Sequence, residues 1–395
     1  MAPALLGRHY QMSCAECKFG FACDGVNIPA DRQTVCPNCG FSENELQPAQ
    51  FVAADRVAIL PSDQLERWDV VAVALENREG NAAQFAVKRI VGLPGEEFCF
   101  EHGDILVDGV VAVKPLAVQK ALRIPVFDSD CRTSRDASLA GRMIRVPNVS
   151  RLDGGSEDTI PIVGTSGRMA STMVDVEHKV RFQPIVGYRS KEAGEPVNVI
   201  KDFYAYNQKL SRKLNRVDQL YMQFDILAAP EVGVMIQVPG PQSVKIYLNL
   251  ESVDVEQMVG EEIKHRSFEM PLRTEVGLKI EISSFDRQLC LLVNDLEIFN
   301  IESLDQEPLD KERAWESLEL SVADGTCRLN RLQVWRDIYY FDQGKEHFSK
   351  LARRRTGESE YFVLGDNVPV SIDSRWWSEP AVDRRQIIGV VSQSP

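Results

Sequence analysis

Strand-length runs of aliphatic and β-branched residues, broken by turn residues, recur along most of the chain and set its expected class. Asp55-Arg-Val-Ala-Ile-Leu60, Trp68-Asp-Val-Val-Ala-Val-Ala-Leu75 and Phe85-Ala-Val-Lys-Arg-Ile-Val91 are three such runs. The last is closed by the turn Gly92-Leu-Pro-Gly95, and Ile105-Leu-Val-Asp-Gly109 reads as a strand entering a hairpin. From about 126 to 199 the pattern fades into polar sequence with turn signals at Asp153-Gly-Gly155 and Gly164-Thr-Ser-Gly167, which predicts linker or irregular structure. Beyond it, Leu220–Leu227, Val244–Leu250, Gly277–Ile282 and Leu289–Asn294 are again apolar runs between polar turns, the rhythm of a sandwich. The expected class is mainly β.

A different pattern opens the chain. Cys14-Ala-Glu-Cys17 and Cys36-Pro-Asn-Cys39-Gly40 are two C-x-x-C pairs separated by a turn-rich stretch, the spacing of a four-cysteine zinc ribbon. Each pair forms a knuckle that presents two thiolates to one tetrahedral ion. Four thiolates close the coordination shell, so the expected role of zinc is structural; two disulfides are the alternative. Cys23 lies inside the ribbon as a spectator, and the other four of the nine cysteines are scattered singly.

Composition narrows the functions. The chain has 395 residues, 44% hydrophobic and 26% charged, enough for two or three domains. A net charge of −13 argues against nucleic acid as a partner, because phosphate binding needs a basic surface. The apolar runs fall short of the roughly 20 residues a membrane helix needs, and Met1-Ala-Pro-Ala-Leu-Leu-Gly-Arg8 lacks the features of an export signal. The five histidines are dispersed, with no Ser-His-Asp arrangement, and no phosphate-binding glycine motif appears.

Two separated strings carry a more specific signal. The first is Val87-Lys88-Arg89-Ile90-Val91-Gly92-Leu93-Pro94-Gly95-Glu96, continuing to Gly103-Asp-Ile-Leu-Val-Asp-Gly109. The second is Gly365-Asp366-Asn367, then Ser371-Ile-Asp373-Ser374-Arg375-Trp376-Trp377. Together they resemble the lysine-bearing strand and the G-D-N-x-x-x-S-x-D-S-R-x-W signature of bacterial type I signal peptidases. A weaker match joins Asp55-Arg-Val with Arg67-Trp-Asp-Val-Val71. Val368-Pro-Val370 and Ser378 depart from the family pattern near the site.

The resemblance implies a Ser-Lys serine endopeptidase. Lys88 would be the general base, and Ser371 would orient its amine. Asp366 with Arg89, and Asp373 with Arg375, would support the site beside Asn367. Alternation on a strand puts Lys88 on the face of Ala86 and Ile90, apolar neighbours that suit a desolvated base, with Arg89 facing the other way. The family's nucleophile lies in S-M-x-P-T-L, and Met1-Ala-Pro-Ala-Leu5 aligns so that the serine falls immediately before Met1. A start assigned at the methionine after that serine accounts for its absence and for the absence of the family's membrane anchor; an inactive, ligand-binding homologue is the other reading. Ser13 and Ser62 lack the M-x-P context.

The expected organisation is residues 1–13 as the remnant of the nucleophile segment and 14–41 as the ribbon. A discontinuous catalytic core follows at 50–125 and 350–395, with linker at 126–199 and an inserted sandwich at 200–345. The run Phe285–Phe299 resembles the strand–turn–strand of concanavalin-like jelly rolls, which by fold analogy alone suggests a carbohydrate ligand. By resemblance, the substrates are exported preproteins, and the site faces outward from the cytoplasmic membrane. Free ribbon thiolates on that face would be open to oxidation until zinc occupies them.

Overall fold

The computed structural model describes residues 1–75, 84–101, 103–131, 200–228, 233–238, 244–249, 251–259, 262–270, 277–302, 318–322, 325–340 and 353–393, with the strands Met143–Pro147, Ile160–Pro161, Thr172–Asp175 and His178–Phe182. As expected it is mainly β, and Leu116–Leu122 is the α-helix among these residues. The descriptions of Asp153–Gly155 and Gly164–Gly167 lie outside them.

The strands that carry the signature strings form a six-stranded sheet. Its order is Val382–Asp383, Glu360–Leu364, Gln84–Gly92, Val70–Leu75, Ile387–Gln393 and Val57–Leu60. Strands from both ends of the chain therefore alternate in one sheet, which is how segments nearly 300 positions apart in sequence build one site. Two-residue periodicity gives this sheet two different faces. On one, Ile90 packs with Val71, Val73, Val363, Val382 and Ile387. On the other, Val91, Trp68, Phe362 and Leu364 join Phe98 and Ile105 of a smaller four-stranded sheet.

That second cluster also takes in Leu122, Ile124, Ile338 and Tyr340, from either end of the large inserted sheet. The insert is thus packed into the same apolar core as the signature strands. A buried ionic cluster reinforces the join. The Lys114 ammonium bridges Asp286 and Asp337, and Asp104 accepts hydrogen bonds from Gln219 (2.6 Å) and Arg287 (3.1 Å). Gly103 sits at φ +92° with the Tyr339 ring 2.6 Å from where a Cβ would lie, so only glycine fits this contact.

Fifteen strands make up the large sheet. Alternate residues such as Val244, Ile246 and Leu248, with Val253 and Val255, point into one core shared with Met222, Phe224, Ile280 and Leu291. Residues 126–199, expected to be linker, contribute the four isolated strands named above to this same sheet. Two of them, Thr172–Asp175 and His178–Phe182, lie inside the strand order, between Leu318–Val322 and Thr326–Arg336; runs of two to five residues set among polar sequence are too short to show a strand period. The first residues also do more than expected. His9–Ser13 pairs with Gly20–Asp24 and with Phe51–Val52, so the sheet beside the first C-x-x-C pair begins inside 1–13.

Candidate active site

Lys88 comes from the middle of the strand Gln84–Gly92, paired with Val71. Its amine donates to Ser371 Oγ at 3.1 Å. Burial lowers the Lys88 pKa from its ordinary value; the carboxylates of Asp373 and Asp366 pull it back up, and Arg375 opposes them. The sequence placed Lys88 on an apolar face, and the half-buried side chain stands beside that packed cluster.

Two fully buried fork-shaped ion pairs frame this contact. Arg89 meets Asp366 through Nε and Nη2, each at 2.8 Å, and its Nη1 donates to the Trp68 carbonyl at 2.7 Å. Arg375 meets Asp373 through Nε and Nη2, each at 2.9 Å, and its Nη2 also reaches the Val368 carbonyl at 3.1 Å. Burial pushes the Asp373 carboxyl up, but Arg375 outweighs it and holds the group below the usual carboxylate range. Bidentate pairs of this kind fix orientation as well as charge. Val368, one of the departures from the family pattern, fills the core beneath the loop.

Gly365 is the tight point. An added Cβ there would lie 2.1 Å from Ser371 Oγ and 3.5 Å from Lys88 Nζ, while the Gly365 N–H donates to Asp373 Oδ2 at 3.0 Å. Gly365→Ala must displace Ser371. A shift of that size at a positioned group is expected, in a serine-fused form that cleaves, to lower turnover on the order of 10²-fold with the fold retained, as steady-state kinetics beside circular dichroism will show.

The backbone carbonyl of Asn367 receives the N–H groups of Val370 (3.1 Å) and Ser371 (3.0 Å), which turns the chain and delivers Ser371 to Lys88. The Asn367 side chain pairs amide to amide with Asn207, at 2.6 and 2.9 Å. Asn207 was not foreseen, because nothing local marks it. The start of the chain also reaches the site. The α-amino group of Met1 is half-buried within electrostatic reach of Asp366, Lys88 and Arg89, and burial lowers its pKa. Ala2 is buried, and Leu6 exchanges hydrogen bonds with Asp55 (2.7 and 2.9 Å).

Residues 41–148 and 307–394 match signal peptidase, peptidase S26. The match supports a signal-peptidase-like function, and that family's substrates are exported preproteins. Its two segments hold Lys88 with Arg89 and Asp366 through Arg375; the gap between them falls within the large sheet, whose strands Ile124–Asp128, Met143–Pro147, Leu318–Val322 and Thr326–Arg336 lie inside the matched segments. It begins after the ribbon cysteines, so neither they nor residues 1–13 are part of the peptidase S26 match. No helix among the described residues is long and apolar enough to cross a membrane.

No curated protein matches the chain. Among solved structures, a carbohydrate-binding module of Bacillus subtilis aligns at 8% identity and TM-score 0.24, covering 30% of this chain and 75% of its own. Sheep galectin-11 aligns at 9% and 0.22, covering 29% and 87%. A sialidase module of Ruminococcus gnavus aligns at 16% and 0.24, covering 34% and 83%. At those scores the likeness decides neither the insert's fold nor its ligand.

The four cysteines expected as metal ligands do come together. All are buried, and their sulfurs lie within 4.8 Å of one another. Cys14 and Cys39 stand 3.6 Å apart, and Cys17 and Cys36 stand 3.7 Å apart, all as free thiols. A tetrahedron with metal–sulfur bonds of about 2.3 Å has edges of about 3.8 Å, so the spacing suits one ion. The two knuckles repeat each other. The N–H of Lys18 returns to the Cys14 carbonyl and that of Gly40 to the Cys36 carbonyl, each at 3.0 Å, with φ of 65° and 75°. Cys23 stands outside the cluster, and burial pushes its thiol up to about 12.

Proposed function

We propose that this chain is the catalytic part of a signal peptidase I-type serine endopeptidase that works through a Ser-Lys dyad. Lys88 is its base, and its nucleophilic serine occupies the position directly before Met1. The observation that carries the proposal is the convergence of the half-buried Lys88, its partner Ser371 and the start of the chain on one point.

The chemistry follows from that geometry. Neutral Lys88 accepts the proton of the serine hydroxyl as its oxygen attacks the carbonyl carbon of the scissile bond. The resulting ammonium returns that proton to the leaving amine as the C–N bond breaks, leaving an acyl-enzyme for water to hydrolyse. One Lys88 N–H held by Ser371 fixes the direction of the remaining lone pair. Ser371 is a poor candidate for the nucleophile itself. Its hydroxyl donates to the Asp373 carboxylate, so it presents Lys88 with a lone pair and keeps its own proton on the far side.

The test is cleavage of a preprotein by the chain with a segment ending in serine fused before Met1. Cleavage that disappears on Lys88→Ala supports the dyad. A folded, fused chain that leaves every preprotein intact overturns it and leaves the binding-scaffold reading. The membrane anchor and outward-facing placement belong to the same proposal.

In the ribbon, the proposed ion is structural zinc. Metal analysis of the purified protein is expected to find one zinc per chain, lost in Cys36→Ser. Zinc retained by that variant would place the ion elsewhere.

A further inference from the structure

Five consecutive residues of the insert, Tyr204 to Gln208, touch both the ribbon and the catalytic loop. The backbone makes a short 3₁₀ turn over Ala205–Asn207, held at its base by Arg336 of the large sheet, which donates to the carbonyls of Phe203 (2.8 Å) and Asp202 (3.1 Å). From that fixed base the side chains diverge. Ala205 is buried in the ribbon's own core with the four metal-site cysteines. Tyr204 packs against the cluster beneath the catalytic loop, and Tyr206 stacks on it at 5.8 Å between centroids. The Tyr206 hydroxyl lies against Gly7, in the segment that brings Met1 to Lys88.

The last two residues make the connection specific. Asn207 pairs both ways with Asn367, whose carbonyl sets the turn of Ser371. Gln208 pairs both ways with the Val35 backbone, accepting from its N–H at 3.1 Å and donating to its carbonyl at 3.0 Å. Val35 directly precedes Cys36. A rigid turn therefore places one two-point amide clamp on the catalytic loop and another on a metal-site knuckle. Each clamp satisfies both ends of an amide, so slippage of either strands a donor and an acceptor.

We propose that Asn207 is a positioning residue for the Lys88–Ser371 pair, and that Gln208 links that positioning to the four-cysteine site. The order of the ribbon is then felt at the catalytic loop. The role assigned to the loop rests on the peptidase reading above; the mechanical link does not.

Hydrogen exchange of the full, zinc-loaded chain tests the link without requiring activity. Asn207→Ala is expected to raise exchange at the Val370 and Ser371 amides by about tenfold, the effect of losing one well-made amide pair, while strand 9–13 keeps its protection. Gln208→Ala, and removal of the metal with a chelator, should raise exchange at the same two amides by about threefold, the weaker effect of acting through the turn. Arg287→Ala, which loosens the insert's other contact with the core, should leave them unchanged. The proposal is overturned if Asn207→Ala leaves those amides at the wild-type rate, if they ignore both Gln208→Ala and metal removal, or if Arg287→Ala moves them equally. In the serine-fused form, Asn207→Ala should lower kcat with KM held. Exchange that responds while no form cleaves any preprotein leaves the coupling intact and removes only the peptidase reading.

Discussion

Lys88→Met is expected to abolish preprotein cleavage by the serine-fused chain and, at neutral pH, to make the protein more stable. The two effects have one cause. Burial penalises the Lys88 ammonium, so its pKa in the folded chain lies below its unfolded value of about 10.4. Below the folded pKa the group is charged in both states, and the folded state bears the whole cost of burying that charge. Between the folded and the unfolded pKa, the unfolded chain holds more protons, so stability rises with pH across that window. Methionine removes the charge and keeps the volume. Its stabilising effect should be greatest below the folded pKa and should fade as pH approaches the unfolded value. Activity runs the same way for a different reason: the base must be neutral, so kcat/KM climbs as pH rises through the folded pKa. Loss of the base should reduce the rate on the order of 10⁴-fold. Urea denaturation at several pH values and a pH–rate profile therefore report one group by independent routes. A Lys88→Met chain that still cleaves, or whose stability gain ignores pH, removes Lys88 from the role of base.

Asp366→Ala should destabilise the six-stranded sheet and its core by about 3–5 kcal/mol, because it leaves the Arg89 guanidinium buried without its counter-charge. The pair is closed to solvent on both sides, and Trp68 supplies a carbonyl to the remaining Arg89 nitrogen but no charge. Arg89→Lys should fail similarly, since one ammonium cannot span two carboxylate oxygens and that carbonyl. The double change Arg89→Met with Asp366→Leu should recover most of the stability, because it removes the desolvation cost along with the attraction. Unfolding in urea followed by tryptophan fluorescence separates these cases. A cost below about 1 kcal/mol for Asp366→Ala is the behaviour of a solvated pair and would contradict the burial described.

Local chemistry in this chain was readable from the residues themselves. The two C-x-x-C knuckles need only four adjacent positions each, and they assemble as their spacing requires. Alternation along Gln84–Gly92 puts Lys88 and Arg89 on opposite faces before any partner is known. The Arg89–Asp366 and Arg375–Asp373 pairings expected from the family signature are present in full. The strands within 126–199 escaped notice because each is only two to five residues long and is set among polar and turn residues, too short a run for a period to stand out.

By itself, then, the sequence determined the β class, the four-cysteine cluster and the two strings that converge on Lys88, because each is written in periodicity or short spacing. Tertiary structure alone decided what the insert does for them. The Asn207–Asn367 pair joins positions 160 residues apart, and Gln208 reaches Val35 across 173. Lys114 finds Asp286 across 172. A lone asparagine, glutamine or lysine carries no mark of such a partner. These contacts depend on packing the large sheet into the same apolar core as the signature strands, and a buried polar group acquires its role only when packing excludes water and leaves it one partner.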